Sequence, residues 1–146
     1  MQKNILKESP YSVEKAVTIL NNDGIVALKT ETVYGVACNA NSIFSIESVY
    51  NLKKRPLFNP LIIHVNNLEM AYKIAVFNDI SKKIAKHFWP GPLTLILPKK
   101  KNSLIKDFAI AGLETIALRI PNSKVFKKIL KKFSKPIAAP SANPSG

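Results

Sequence analysis

A series of short apolar runs, most of them stopped by proline or by an Asn/Gly turn, constrains this chain more than any other feature. Ile25 to Leu28, Val33 to Cys38, Leu61 to Val65, Leu93 to Leu97, Ile116 to Ile120 and Ile137 to Ala139 are such runs. They read as strands, because short apolar stretches bounded by turn signals fit buried strands better than helices. Pro98, Pro121 and Pro140 stand at their ends, where a missing backbone donor is tolerated. Segments of helical period lie between them. Val13, Ala16, Val17 and Leu20 mark one helix face, and Asn21-Asn22-Asp23-Gly24 supplies its stop and turn. Ile43, Ile46, Val49 and Tyr50 mark a second. Asn59-Pro60 then breaks the chain. Two helices follow, from about Leu68 to Ala75 and from about Ile80 to Phe88, with Asn67 and Asn78 as N-caps. Pro90 and Pro92 end the second, and Lys124 to Phe133 is a basic amphipathic helix. The expected class is mixed α/β, with loops gathered at one end of the sheet, where ligands usually sit.

At 146 residues the chain suits one domain, residues 1–146. No apolar run approaches the ~18 residues of a membrane span. The start, MQKNILKESPYS, lacks the apolar segment of a secretory signal. The expectation is a cytoplasmic protein with no membrane partner. A lone Cys38 can form no internal disulfide and has no partner for a cysteine metal site. No metal ligands are assigned. The net charge of +13 and pI near 9.9 suit a nucleic-acid or polyphosphate partner, since a basic surface concentrates anions. The joint excess of Lys, Asn and Ile also matches the bias of an AT-rich genome, so charge alone decides little.

Lysine is the default cation, which makes the only two arginines, Arg55 and Arg119, informative. A planar, always-charged fork suits a carboxylate or phosphate. Lys53, Lys54 and Arg55 close a helix, where the dipole favours cations. Pro56, Asn59 and Pro60 stiffen the next segment, and Asn59 and His64 add neutral hydrogen-bonding groups. That mixture suits phosphate binding as well as helix capping. His64 on an apolar strand reads as a satisfied core residue or as a catalyst. Thr115 and Arg119 are four residues apart on one strand and should share a face. The alternative for Arg119 is a surface salt bridge with Glu114 or another acid. Thr30-Glu31-Thr32 is either an ordinary turn or a hydroxyl-bearing corner for a small polar ligand, and Gly35 permits close approach. Ser141, Asn143 and Ser145, among Pro140, Pro144 and Gly146, form a terminal loop or an anion nest. No Walker or Gly-x-Gly-x-x-Gly fingerprint is present, so a nucleotide site must be of another design.

Together and in order, these blocks resemble the YrdC-like family, whose members include threonylcarbamoyl-AMP synthases. KTETVYG (Lys29 to Gly35) is similar to its Pro-Thr-Glu-Thr-Val-Tyr-Gly block. KKRPLFNPLIIHV is similar to its Lys-x-Arg-Pro block with following Asn-Pro-Leu and His, and PSAN to its Ser-x-Asn block; FWPGPLTLIL matches as well. The resemblance implies an open, twisted, mixed sheet with flanking helices and a basic concave face. It implies that L-threonine, bicarbonate and ATP, with Mg2+, are joined into threonylcarbamoyl-adenylate with release of pyrophosphate. Thr32, His64, Arg119 and the backbone around Ala139 would then hold threonine. Arg55, Asn59, Thr115 and Ser141 would bind ATP, Lys53 and Asn143 would complete the Lys-x-Arg and Ser-x-Asn pairs, and Lys53 and Arg55 would carry the catalytic charge.

Two departures from the family pattern stand out. Lys29 replaces the usual opening proline. The chain also stops at Gly146, where similar proteins continue with further strands and another arginine, so truncation at the C-terminus is an expectation. The implied product serves modification of tRNA at adenosine 37, with the tRNA threonylcarbamoyl-transfer machinery as partner. The competing readings are a module that binds double-stranded RNA or tRNA without turnover, and a carbamoyl-transfer domain like those of hydrogenase maturation proteins.

Overall fold

The computed structural model describes residues 5–144. Ser9 opens helix α1 (Pro10–Asn21) with a reciprocal cap: its hydroxyl accepts from the Ser12 amide at 3.1 Å, and the Ser12 hydroxyl accepts from the Ser9 amide at 2.9 Å. Val13, Ala16, Val17 and Leu20 fall on the buried face, as their spacing requires. The turn after α1 divides its labour in an unexpected way. Asp23, with φ of 59°, takes the left-handed position, and Gly24 instead allows close approach: a Cβ there would lie 2.5 Å from Cγ2 of Ile19.

Strands β1 (Val26–Lys29) and β2 (Tyr34–Asn39) follow, then α2 (Ile43–Lys53), capped by Ser42 and ended by Lys54 in the left-handed region. Next come β3 (Ile62–His64), α3 (Leu68–Ile74) and α4 (Asp79–Phe88). Asn67 and Asn78 cap these helices, accepting from the Met70 and Ser81 amides at 2.8 Å each. Strand β4 (Leu95–Pro98) starts two residues later than the apolar run suggests. Its predicted first residue, Leu93, gives its carbonyl to the Trp89 indole at 2.7 Å and stays in the loop. A 3-10 turn at Asp107–Ile110, too short to show a period, precedes β5 (Thr115–Arg119), α5 (Lys124–Phe133) and β6 (Ile137–Ala138).

The strands form one mixed sheet in the order β1-β2-β6-β3-β5-β4. Only β3 and β5 run parallel. This corrects the expectation that the loops gather at one end: antiparallel neighbours send successive loops to opposite ends. One face carries Val36, Cys38, Ile63, Leu118 and Ile116 and is packed by α2, α3, α4 and the 3-10 turn. The other carries Leu28, Ala37, Ile137 and Ala139 beneath α1 and α5. Those two helices cover only part of it. Ile62, Ala117 and Ile96 are in register across β3, β5 and β4, yet Ile62 and Ala117 are half-buried and Ile96 is 71% exposed. The uncovered strip is the floor on which the candidate site stands.

Candidate functional site

Register fixes which of the predicted residues share that floor. His64 pairs with Arg119, and Ile62 with Ala117, so Thr115, Ala117, Arg119 and His64 project to the same side of the sheet. Thr115 and Arg119 therefore share a face as their spacing requires. They stand at opposite ends of β5, separated by about 13 Å at ~3.3 Å per residue. Thr115 is exposed beside Pro98, whereas Arg119 is buried at the β3 and β5 ends.

The two arginines are both bonded, in different ways. Arg55 follows directly from the end of α2, and its amide donates to the Tyr50 carbonyl at 3.0 Å. Its Nε donates to the Asn59 carbonyl at 3.1 Å and its Nη2 to the Pro60 carbonyl at 2.9 Å. Tyr50 donates its hydroxyl to the same Asn59 carbonyl at 2.8 Å. Arg55 thus closes its own loop and carries it to the mouth of β3. Burial raises the Tyr50 phenol above its ordinary range, and the Arg55 cation pulls it part of the way back.

Arg119 donates from Nε to the Gly91 carbonyl at 3.0 Å, and its Nη2 is paired with Glu31. The acid is neither Glu114 nor on an open surface: the Arg119 side chain is 9% exposed and that of Glu31 20%. Burial lowers the Arg119 pKa. The second Glu31 oxygen accepts from the Asn122 amide, and the Ser123 hydroxyl donates to the Lys29 carbonyl at 2.7 Å. The β1–β2 turn is thereby tied to the loop after β5. Thr30 closes that turn, its hydroxyl accepting from the amides of Thr32 at 3.1 Å and Val33 at 3.0 Å. This leaves Thr32 beside Glu31, with its hydroxyl 3.1 Å from that of Thr30.

His64 stands in register with Arg119 on the neighbouring strand, against Phe126 of α5. It is 2% exposed, its ring sits 4.9 Å from that of Phe126, and Nδ1 has no hydrogen-bond partner among the described residues. Burial pushes its pKa down to about 4, against the partial offset of the Ile137 and Ile62 backbone, so the ring is neutral at physiological pH. A histidine that is fully satisfied in the core is therefore not what the structure shows.

The last predicted block closes the other side. Gly35 and Ser141 form an isolated bridge, and a Cβ on Gly35 would stand 3.3 Å from that of Ala139. The Ala139 amide is engaged by the Ile62 carbonyl at 3.1 Å, and the Ala142 amide by Tyr34 at 2.7 Å. Those two N–H groups are therefore not free donors for an anion nest; Ser145 and Gly146 lie outside the described residues. The Asn143 carbonyl accepts from Lys53 Nζ, joining the Lys-x-Arg and Ser-x-Asn segments. Burial, then the like charge of Arg55, lowers the Lys53 pKa. Sequence reasoning missed the parts played by Glu31, Gly91 and Asn122. Only Glu31 had a signal, its place in KTETVYG.

Residues 18–146 match the Sua5/YciO/YrdC family model, described as Telomere recombination. The chain belongs to this family. Two of the relatives that carry the name threonylcarbamoyl-AMP synthase show the extent of the match. One, from Bacillus subtilis, is 39% identical over 142 residues, which are 97% of this chain and 41% of the relative. The other, from Photobacterium profundum, is 30% identical over 138 residues, 92% of this chain and 74% of the relative. The solved structure of P. abyssi Sua5 complexed with L-threonine superimposes with a TM-score of 0.91 at 37% identity, covering 97% of this chain and 41% of Sua5. The chain thus spans about two fifths of the length of the Bacillus subtilis and P. abyssi proteins.

Proposed function

We propose that this chain works as a single YrdC-like domain of a threonylcarbamoyl-AMP synthase, joining L-threonine, bicarbonate and ATP into threonylcarbamoyl-adenylate and pyrophosphate. The observation that carries the reading is convergence. Segments far apart in sequence meet through Glu31 with Arg119, Gly35 with Ser141 and Lys53 with Asn143. The names of the relatives and the threonine complex of a close structural match point to the same chemistry.

In this reading Arg119 takes the threonine carboxylate, with Thr32, His64 and the Ala139 backbone around the rest of the amino acid. The neutral His64 ring, with its unpartnered Nδ1, suits an uncharged hydroxyl better than an ion. Arg55, Asn59, Thr115, Ser141 and Asn143 bind ATP, and Lys53 and Arg55 face the phosphates as the catalytic cations. The threonine amine and bicarbonate give a carbamate and water. A carbamate oxygen then bonds to the α-phosphorus while pyrophosphate leaves, an adenylyl transfer that requires no covalent nucleophile on the protein. Burial pushes the Cys38 thiol up to about 12, so it is no candidate for one. No group of His, Cys, Asp and Glu among the described residues is arranged to hold a metal. Mg2+ would therefore arrive on the ATP phosphates, where it would neutralise developing charge. The product would pass to the tRNA threonylcarbamoyl-transfer machinery, which places the proposed work in the cytoplasm.

Incubation with L-threonine, bicarbonate, ATP and Mg2+ tests the reading through threonine-dependent pyrophosphate release. Release that vanishes without threonine or bicarbonate is expected. A folded protein that neither releases pyrophosphate nor binds threonine overturns the proposal.

A further inference from the structure

Arginine offers N–H groups along two usable edges, one formed by Nε and Nη2 and one by the paired Nη groups. In Arg119 the first edge is turned to the protein: Nε donates to the Gly91 carbonyl at 3.0 Å, and Nη2 is held by Glu31 as an ion pair, with no hydrogen bond of regular geometry. No hydrogen bond runs from Nη1 to any described residue. The guanidinium is thus held along one side and left to meet a ligand with its end.

Glu31 is itself fixed at several points. Its second oxygen accepts from the Asn122 amide, and its turn is closed by Thr30 and tied at Lys29 by Ser123. A carboxylate anchored in this way is a poor candidate for a mobile stand-in that a ligand displaces. It is better suited to hold a neighbouring group: its side chain is paired with Arg119, and its backbone belongs to the same turn as Thr32.

We infer that Glu31 is a positioning residue that sets the Arg119 guanidinium and the Thr32 turn for an amino-acid carboxylate. The inference rests on the reading of Arg119 as the threonine-binding arginine. Glu31 touches neither ATP nor the reacting atoms in this arrangement and acts through Arg119. Its loss should therefore be felt by one substrate only.

The test measures binding of L-threonine and of ATP by calorimetry in the wild type and in Glu31→Ala, Glu31→Gln, Arg119→Lys and the Glu31→Ala/Arg119→Lys double variant. Glu31→Ala should weaken threonine about tenfold or more and leave ATP within about twofold. Glu31→Gln keeps an acceptor oxygen, and threonine affinity should recover to within a few fold of the wild type. In the Arg119→Lys background the Glu31→Ala effect should largely disappear, because the two residues act as a unit. Tighter threonine binding by Glu31→Ala would mean that Glu31 competes with the ligand, which overturns the inference. Equal losses for both ligands would reduce Glu31 to a structural tie, which also overturns it. The underlying reading fails separately, if Arg119→Lys itself leaves threonine binding unchanged.

Discussion

Arg55 is held by carbonyls four and five residues further along its own loop, whereas Arg119 is held by Gly91, 28 residues away, and by Glu31 across the sheet. The first clamp needs little more than the end of α2 and the Asn59-Pro60 break. The second needs β3 beside β5, the β1–β2 turn folded over the loop after β5, and the loop at Gly91 in place. One arginine therefore reports on local chain stiffness and the other on the assembled fold. The corner around Arg119 should be the more sensitive to acid, to substitution and to anything that loosens the sheet.

The largest expected effect concerns His64, which stands in register with Arg119. Its pKa is about 4 in the folded chain against 6.5 for the free side chain. Between those values the unfolded chain binds a proton that the folded one excludes, so stability falls as pH drops from about 6.5 towards 4. The whole shift amounts to about 3 kcal/mol. Urea unfolding at several pH values, compared with His64→Asn, isolates this contribution. A wild type whose acid slope matches that of the variant would show that the ring is not buried in neutral form.

Next in size is the contrast between the arginines themselves. Arg119→Ala should cost about 2 kcal/mol, because it strands Glu31 without its partner; a fully dry pair would cost more, but Glu31 keeps some contact with water. Arg55→Ala should cost about 1 kcal/mol, since the Asn59 carbonyl keeps the Tyr50 hydroxyl and the part-buried Pro60 carbonyl can turn to water. Equal urea midpoints for the two variants would erase the distinction between a local and a tertiary clamp.

The same distinction explains what was legible in the sequence. Helix α5 has the predicted bounds, and Asn67 and Asn78 cap as expected, because period and caps are written in neighbouring residues. The strand runs were found, but β4 lost Leu93 to a side-chain bond from Trp89 that no pattern discloses. The stop and turn after α1 lie at Asn21 to Gly24 as expected, but the division of roles within it, with Asp23 left-handed and Gly24 close against Ile19, was not legible. The Arg119 partner could be narrowed to an acid and no further. Glu31 is the partner because of strand order, and strand order is a property of the whole sheet. The contexts of Arg55 and Lys53 were readable from the Lys-x-Arg-Pro block, whereas the link from Lys53 to Asn143 emerges only when β6 lies beside β2.

Ligand binding should sharpen the comparison at a smaller scale. Lysine at either arginine keeps the charge and loses the planar fork, so each change should cost about 1.4 kcal/mol, roughly tenfold in affinity. Arg119→Lys should spend that loss on threonine and Arg55→Lys on ATP. Titrating both ligands against both variants checks the assignment. A loss that falls on the same ligand in both variants would mean that the two arginines serve one subsite.

The smallest effect comes from setting the Glu31–Arg119 pair against the ion pairs that join α1 and α5. Lys128 pairs with Glu8 and Lys132 with Glu14, with side chains between 43% and 61% exposed. Water competes for both partners, the long lysines lose freedom to make the contact, and salt screens what remains. Glu14→Gln should therefore shift stability by about 0.5 kcal/mol or less, and that shift should fade as salt is raised. The Glu31→Gln shift should persist in salt, because its partner is shielded from the solvent ions. Unfolding midpoints of both variants at low and high salt decide the matter. If Glu14→Gln proved as costly and as salt-resistant as Glu31→Gln, the corner at Arg119 would hold no special tie between the turn at Glu31 and β5.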